Sequence, residues 1–198
     1  MELTRISFIT QPTDTQLEDY FQIRHQGFRE VMHWTSFSGA ADKFDREAKF
    51  VLALSENEVI GGVRMVLHHR DSDTGLAVED EHFNLSSSFP EFELSEQSYF
   101  EAGRLVLAKP FRDHVILTDL VQHVIGFGQR LECRYLFAAS PKPQARYYRQ
   151  ILHSLGVLFT IRPTPLRDKP LYEGTLHYLG YSDLNAAPDY RHVVFADS

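Results

Sequence analysis

Residues 99–107 read YFEAGRLVL, a run of strand-forming aromatic and aliphatic residues interrupted by an acid, a glycine and an arginine. Lys109-Pro110 closes the run, because proline offers no ladder donor and restricts the residue before it. Gly103, between Glu101 and Arg104, permits a bulge or the close approach of a ligand to the backbone. Downstream, Leu117, Leu120, Val121, Val124 and Ile125 recur at helical spacing and predict a helix over 114–131, then a buried strand over 135–139. Pro143 starts a second helix over 143–154, ended by Leu155-Gly156, and strands are expected at 157–162, 171–181 and 190–195. Upstream, 3–10 alternates as a strand. Turn and capping residues at 11–14 then lead into a helix over 15–32, whose face carries Leu17, Tyr20, Phe21, Phe28, Val31 and Met32 with Arg24 on or beside it. Residues 33–45 have neither period and read as an ordered loop. The aliphatic runs 48–55 and 58–68 form a hairpin around Glu56-Asn57, and 70–98 reads as a polar insertion over the surface or along a groove. This order predicts an α/β three-layer sandwich, α/β/α, around a mixed, largely antiparallel sheet, with 1–198 as one domain.

Composition narrows the function. The chain has 198 residues, 43% of them hydrophobic, enough for one substantial core. A net charge of −7 disfavours nucleic acid, whose phosphates demand a cationic excess. No run approaches the roughly 18 apolar residues of a membrane span, the opening MELTRISFIT lacks the apolar core of a secretory signal, and the single cysteine, Cys133, has no partner for a disulfide. A cytoplasmic, reducing setting is the expectation. The charge is uneven: residues 104–150 hold 8 Lys/Arg against 3 Asp/Glu, a net of +5 in an acidic chain. Those cations either guide an acidic macromolecule or phosphate-bearing ligand to one face, or are ordinary solvated charges on two helices.

The chemistry that the residues offer is limited. Ten histidines include no HExxH, adjacent His68 and His69 would point apart on a strand, and no metal is expected. There is no G-x-S-x-G nucleophile motif and no glycine-rich phosphate loop. Glu101 and Arg104 remain. In a central strand the carboxyl would be partly desolvated and its pKa raised, as a general base near neutrality requires; equally, the two residues can belong to a structural ion-pair network.

Arg24, Phe28 and Trp34, then Asp42-Lys43-Phe44-Asp45, Phe89-Pro90 and Glu101-Ala102-Gly103-Arg104, resemble in order and spacing the signature of the LuxI-type acyl-homoserine lactone synthases, a branch of the GCN5-related N-acyltransferase (GNAT) superfamily. The resemblance covers about residues 20–107, and Arg64 looks like the family's further arginine. It implies a GNAT-like fold, catalytic roles for Glu101, Gly103 and Arg104, and substrate binding by Arg24, Phe28, Trp34, Asp42, Asp45 and Phe89. Gly103 stands where that family carries serine or threonine, and Ala40 where many members carry glutamate. These departures bring the chain nearer to the related long-chain N-acyl amino acid synthases of the FeeM type. The implied reaction moves a long acyl chain from acyl carrier protein to the α-amino group of an amino acid, tyrosine being one possibility. The alternative is a lactone synthase using S-adenosylmethionine. The acetyltransferase pyrophosphate loop would fall at 112–117, where Val115 and Leu117 replace its glycine positions, so the resemblance implies acyl-phosphopantetheine as the donor, with no bound cofactor. Acidic carrier protein would then dock on Arg112, Arg130, Lys142, Arg146 and Arg149.

Overall fold

The computed structural model describes residues 5–68, 75–167 and 174–196. Chain order is β1 (Ile6–Ile9), α1 (Asp14–Val31), β2 (Lys49–Ser55), β3 (Glu58–His68), α2 (Leu85–Ser88), β4 (Tyr99–Leu107), α3 (His114–Arg130), β5 (Tyr135–Pro141), α4 (Lys142–Ser154), β6 (Thr160–Ile161) and β7 (His177–Asp183). The strands make one seven-stranded sheet in the order β1-β2-β3-β4-β5-β7-β6. All pairings are antiparallel except β4 with β5.

Alternation along each strand divides the core in two. Val51 and Ala53 of β2, Val63 and Met65 of β3 and Phe100 of β4 pack under Leu120, Val124 and Ile125 of α3 and Ile151 and Leu152 of α4. Their neighbours Phe50, Leu52 and Leu54 face α1 through Tyr20, Leu17 and Phe21 on the other side of the sheet. The result is the three-layer α/β/α sandwich, with α1 on one face of the sheet and α3 and α4 on the other. Helix α1 starts with a capping box, in which Gln16 donates its backbone N–H to Thr13 Oγ1 and its side chain accepts from the Thr13 N–H.

Three local expectations need correction. The segment around 75–98 is not a surface wanderer: Leu76, Val78, Leu85, Phe89 and Leu94 are buried and form, with Tyr99, Phe137 and Leu179, the remainder of the core on the α1 side. The strand expected at 157–162 shrinks to Thr160–Ile161. Residues 190–195 form no strand, because a turn closed by the Val193 N–H on Tyr190 O interrupts them, and Ala196 alone donates to Phe8 O. The strand expected at 171–181 is found at His177–Asp183, while 171–173, His69, 3–4 and 70–74 lie outside the described residues. Cys133 is buried, and burial pushes its thiol up to about 12, so it is held as the neutral thiol.

Candidate active site

The parallel pair β4–β5 is the weak line of the sheet. The two strands are in register only over Tyr99–Glu101 against Tyr135–Phe137, and beyond Glu101 they part. A cavity of about 390 Å³ occupies the wedge, lined by Glu101 to Leu107 of β4 and by Leu136 and Ala138 to Pro141 of β5. It lies within the roughly 300–1,000 Å³ usual for small-molecule sites. On the α3/α4 side its wall is mostly apolar, with Leu117, Val121, Val124, Leu152 and Phe159 beside the α4 residues Gln144, Tyr147 and Tyr148. On the α1 side stand Phe28, Trp34, Glu101, Arg104 and His177.

A bulge makes this wall. Residues 101 and 104 differ by an odd number and would face opposite sides of a regular strand. Between Gly62 and Arg64 of β3, however, the register shifts so that β4 carries an extra residue, and Arg104 takes a left-handed φ of 56°. Its carbonyl leaves the ladder and accepts from Tyr20 Oη at 2.6 Å. Burial pushes the Tyr20 phenol up to about 12, so the donor stays protonated. The strain of a non-glycine residue in this region, of order 1 kcal/mol, is thus carried by Arg104 and not by Gly103. A Cβ at 103 would meet only Glu101 Oε1, at 3.9 Å. The glycine is therefore not required by the backbone, contrary to the bulge role expected for it.

Glu101 is 7% exposed, and its Oε2 accepts from the Val78 N–H at 2.7 Å, which ties the base of the site to the 75–98 segment. Arg104 stands over the rings of Phe37 (4.7 Å) and Phe28 (5.6 Å), with Asp42 Oδ2 3.6 Å from its Nη2. Burial lowers its pKa to about 10, assisted by the charges of Arg64 and Arg24.

The other sequence-selected charges form a brace behind this wall, and of them Arg64 also lines the cavity. Arg24 is fully buried, and its guanidinium donates to Asp45 Oδ1 and Oδ2, both at 3.0 Å, and to the carbonyls of Gly39 and Ala40. Arg64 donates to Asp42 at 2.8 Å and Asp45 at 3.2 Å. Burial alone would raise the Asp45 carboxyl, but the Arg24 hydrogen bond, the Asp42 N–H and the charges of Arg24 and Arg64 hold it below the usual carboxylate range. Arg24, Asp42 and Asp45 do not line the cavity; they fasten the 39–45 loop to α1 and β3, which holds Phe37 under Arg104.

Phe89 also lies away from the cavity. It packs on Phe92, Phe137 and Tyr181, with Arg162 over its ring, and serves the core. The cationic residues divide as well. Arg112 is at the mouth, donating to Leu107 O and Glu30 Oε2, and Lys142, Arg146 and Arg149 are exposed along α4. Arg130 stands apart at the far end of α3, a helix of 17 residues and so about 25 Å long. Its guanidinium clamps the carbonyls of Arg191 and Val193.

Residues missed in the sequence include His177, Gln144 and Tyr148, all lining the cavity. Burial pushes the Tyr148 phenol up to about 12. The signal available was the spacing of Gln144 and Tyr148, i to i+4 on one face of α4. His177 Nδ1 lies 2.8 Å from Thr175 O and so carries the hydrogen, and its ring faces Trp34 at 5.7 Å. No sequence pattern marked it. Among the described residues no helix is long and apolar enough to cross a membrane.

Comparisons with known proteins agree with this architecture. FeeM, an N-acyl amino acid synthase from uncultured soil microbes, superposes with a TM-score of 0.67 at 12% identity, over 96% of this chain and 94% of that one. BjaI, a CoA-dependent acyl-homoserine lactone synthase solved with SAM and isopentyl-CoA, gives 0.62 at 20% identity over 91% and 84%. The acyl-homoserine lactone synthase LasI gives 0.60 at 13% over 99% and 98%. Nothing among curated proteins matches the sequence. The pattern of the acetyltransferase (GNAT) domain matches residues 23–122, from α1 through the bulged strand into α3, and the chain belongs to that family of acyltransferases.

Proposed function

We propose that the protein is an N-acyltransferase that moves a long acyl chain from the phosphopantetheine of acyl carrier protein to the α-amino group of an amino acid. One observation carries the reading: a single cavity joins a wall with charges of both signs on the α1 side to an apolar pouch under α3 and α4, through the opening between β4 and β5. An acetyl group would leave that pouch empty; an alkyl chain fills it, at about 0.8 kcal/mol per buried methylene. The charged wall suits a zwitterion, with the acceptor carboxylate at Arg104 and its ammonium at Glu101. Arginine is suited to a carboxylate by its planar fork.

In the step itself Glu101, directly or through one water, takes a proton from the ammonium. The amine attacks the thioester carbonyl, the C–N bond forms and the C–S bond breaks; the leaving thiolate takes a proton from the Tyr148 hydroxyl or from water, and the nitrogen's surplus proton passes to the resulting phenolate or hydroxide, which restores it. A phenol with a pKa of about 12 is protonated at neutral pH and available as that donor. The N-cap of α3 supports carrier protein over free coenzyme A. Asp113 caps the helix, its carboxylate accepting from the Val115 N–H at 2.7 Å at the cavity mouth, which places a negative charge where a pyrophosphate would otherwise meet backbone amides. Arg112, Lys142, Arg146 and Arg149, beside the exposed Val115 and Tyr147, offer an acidic carrier a cationic and partly apolar rim. Mass spectrometry of lipids extracted from expressing cells, against cells expressing Glu101→Gln, tests the reading. Long-chain acyl amino acids only in the first are expected; acyl-homoserine lactones would assign the lactone alternative, and no new acylated product would overturn both.

A further inference from the structure

We propose that Phe159 is the end stop of the acyl pouch and Gly180 the seat that holds it, so that this pair sets the longest acyl chain the enzyme accepts; the inference rests on the acyltransferase reading above. Phe159 lies between α4 and β6, 2% exposed, and lines the cavity together with Val124, Leu136 and Leu152. The other rings on the α3/α4 side of that wall, Tyr147 and Tyr148 of α4, carry hydroxyls, whereas Phe159 is wholly apolar. Beneath it is Gly180 of β7, which pairs with the cavity residue Ala138 on one side and with Ile161 on the other. A Cβ on Gly180 would lie 2.0 Å from Phe159 Cζ and 2.4 Å from Cε1, so the ring rests on bare backbone. The glycine is explained by this contact alone, since its φ is outside the left-handed region.

The geometry has a direction. An alkyl chain entering between β4 and β5 runs over Leu136 and Ala138 and meets the ring, which the sheet behind it prevents from retreating. A methylene beyond that point must stay outside the pouch or force the packed core apart, which costs more than it gains. Shortening the stop lengthens the pouch. Putting a methyl under the ring drives it off the sheet toward the cavity that it lines, and shortens the pouch.

Wild type, Phe159→Leu and Gly180→Ala are compared by calorimetric binding of saturated S-acyl-N-acetylcysteamine thioesters of increasing even chain length, with circular dichroism melts to establish folding. In wild type each methylene that finds room tightens binding about fourfold, up to a limiting length beyond which affinity stops rising. Phe159→Leu is expected to move that limit up by roughly two methylenes and Gly180→Ala to move it down by a similar amount. A limit that both folded variants leave unchanged, or move the same way, overturns the stop alone. Absence of thioester binding at every length in wild type overturns the acyltransferase reading and the stop with it. Should Gly180→Ala not fold, Phe159→Leu decides: the limit rises, or the proposal is wrong.

Discussion

The two sides of the β4–β5 wedge are built on opposite principles. On the α1 side, Arg24, Arg64, Asp42 and Asp45 form a network in which each charge is held by named partners, and Arg64, Arg104 and Glu101 line the cavity. On the α3/α4 side, Leu117, Val121, Val124, Leu152 and Phe159 meet the cavity through apolar atoms that make no directional bonds. The difference teaches where precision is needed: reacting groups require fixed positions, which hydrogen-bonded charges provide, whereas an alkyl chain requires only volume and dryness.

The largest test of that division is Glu101→Gln, which keeps an oxygen for the Val78 N–H and removes the proposed base. Turnover is expected to fall about 10²–10⁴-fold with the melting temperature little changed, as measured by amide formation and a thermal melt. Unchanged turnover would move the base elsewhere.

Asp45→Asn asks whether the network braces or reacts. Breaking a buried pair costs about 3–5 kcal/mol, so the melting temperature should fall by roughly 6–20 °C and activity with it. The pH dependence follows from sign. The folded pKa of Asp45 lies below its unfolded value near 3.9, so its contribution is complete above that value and is lost as pH falls through the folded pKa. Wild type should therefore lose more stability than Asp45→Asn on acidification below about pH 4. Parallel acid melts would show the brace to be uncharged in effect.

On the apolar side, Val121→Phe puts a ring into the pouch while leaving the charged wall intact. Transfer from long-chain thioesters should drop roughly 10- to 50-fold in kcat/KM, while a short-chain thioester is used as before. Equal losses on both would show that the pouch holds no chain.

The smallest effect belongs to the rim. Reversing Lys142, Arg146 and Arg149 together to glutamate should raise KM for acyl carrier protein by about 3- to 10-fold at low salt, an effect that fades as the Debye length shrinks. Acyl-N-acetylcysteamine should be used unchanged. Arg130→Glu, whose guanidinium is committed to the carbonyls of Arg191 and Val193, should act on stability instead.

The sequence by itself determined the order of elements and the ordered set of polar residues. Hydrophobic period is local, and it located α1, α3, the β2–β3 hairpin and the central strand. Isolated charges inside apolar runs, at 24, 101 and 104, were visible because burial of an unpaired charge is so unfavourable that each implied a partner or a site, while Arg64 entered through the family resemblance. Only the tertiary structure decided what each one does. Arg104 faces the same side as Glu101 because the bulge against β3 adds a residue, a register fact written in two strands at once. Phe89 went to the core and Arg130 to the carboxy-terminal segment because the residues that claim them lie 48 and 61–63 positions away. The pouch, with Phe159 seated on Gly180, exists because β4 and β5 separate after Glu101, and the parting of two strands leaves no periodic mark in either.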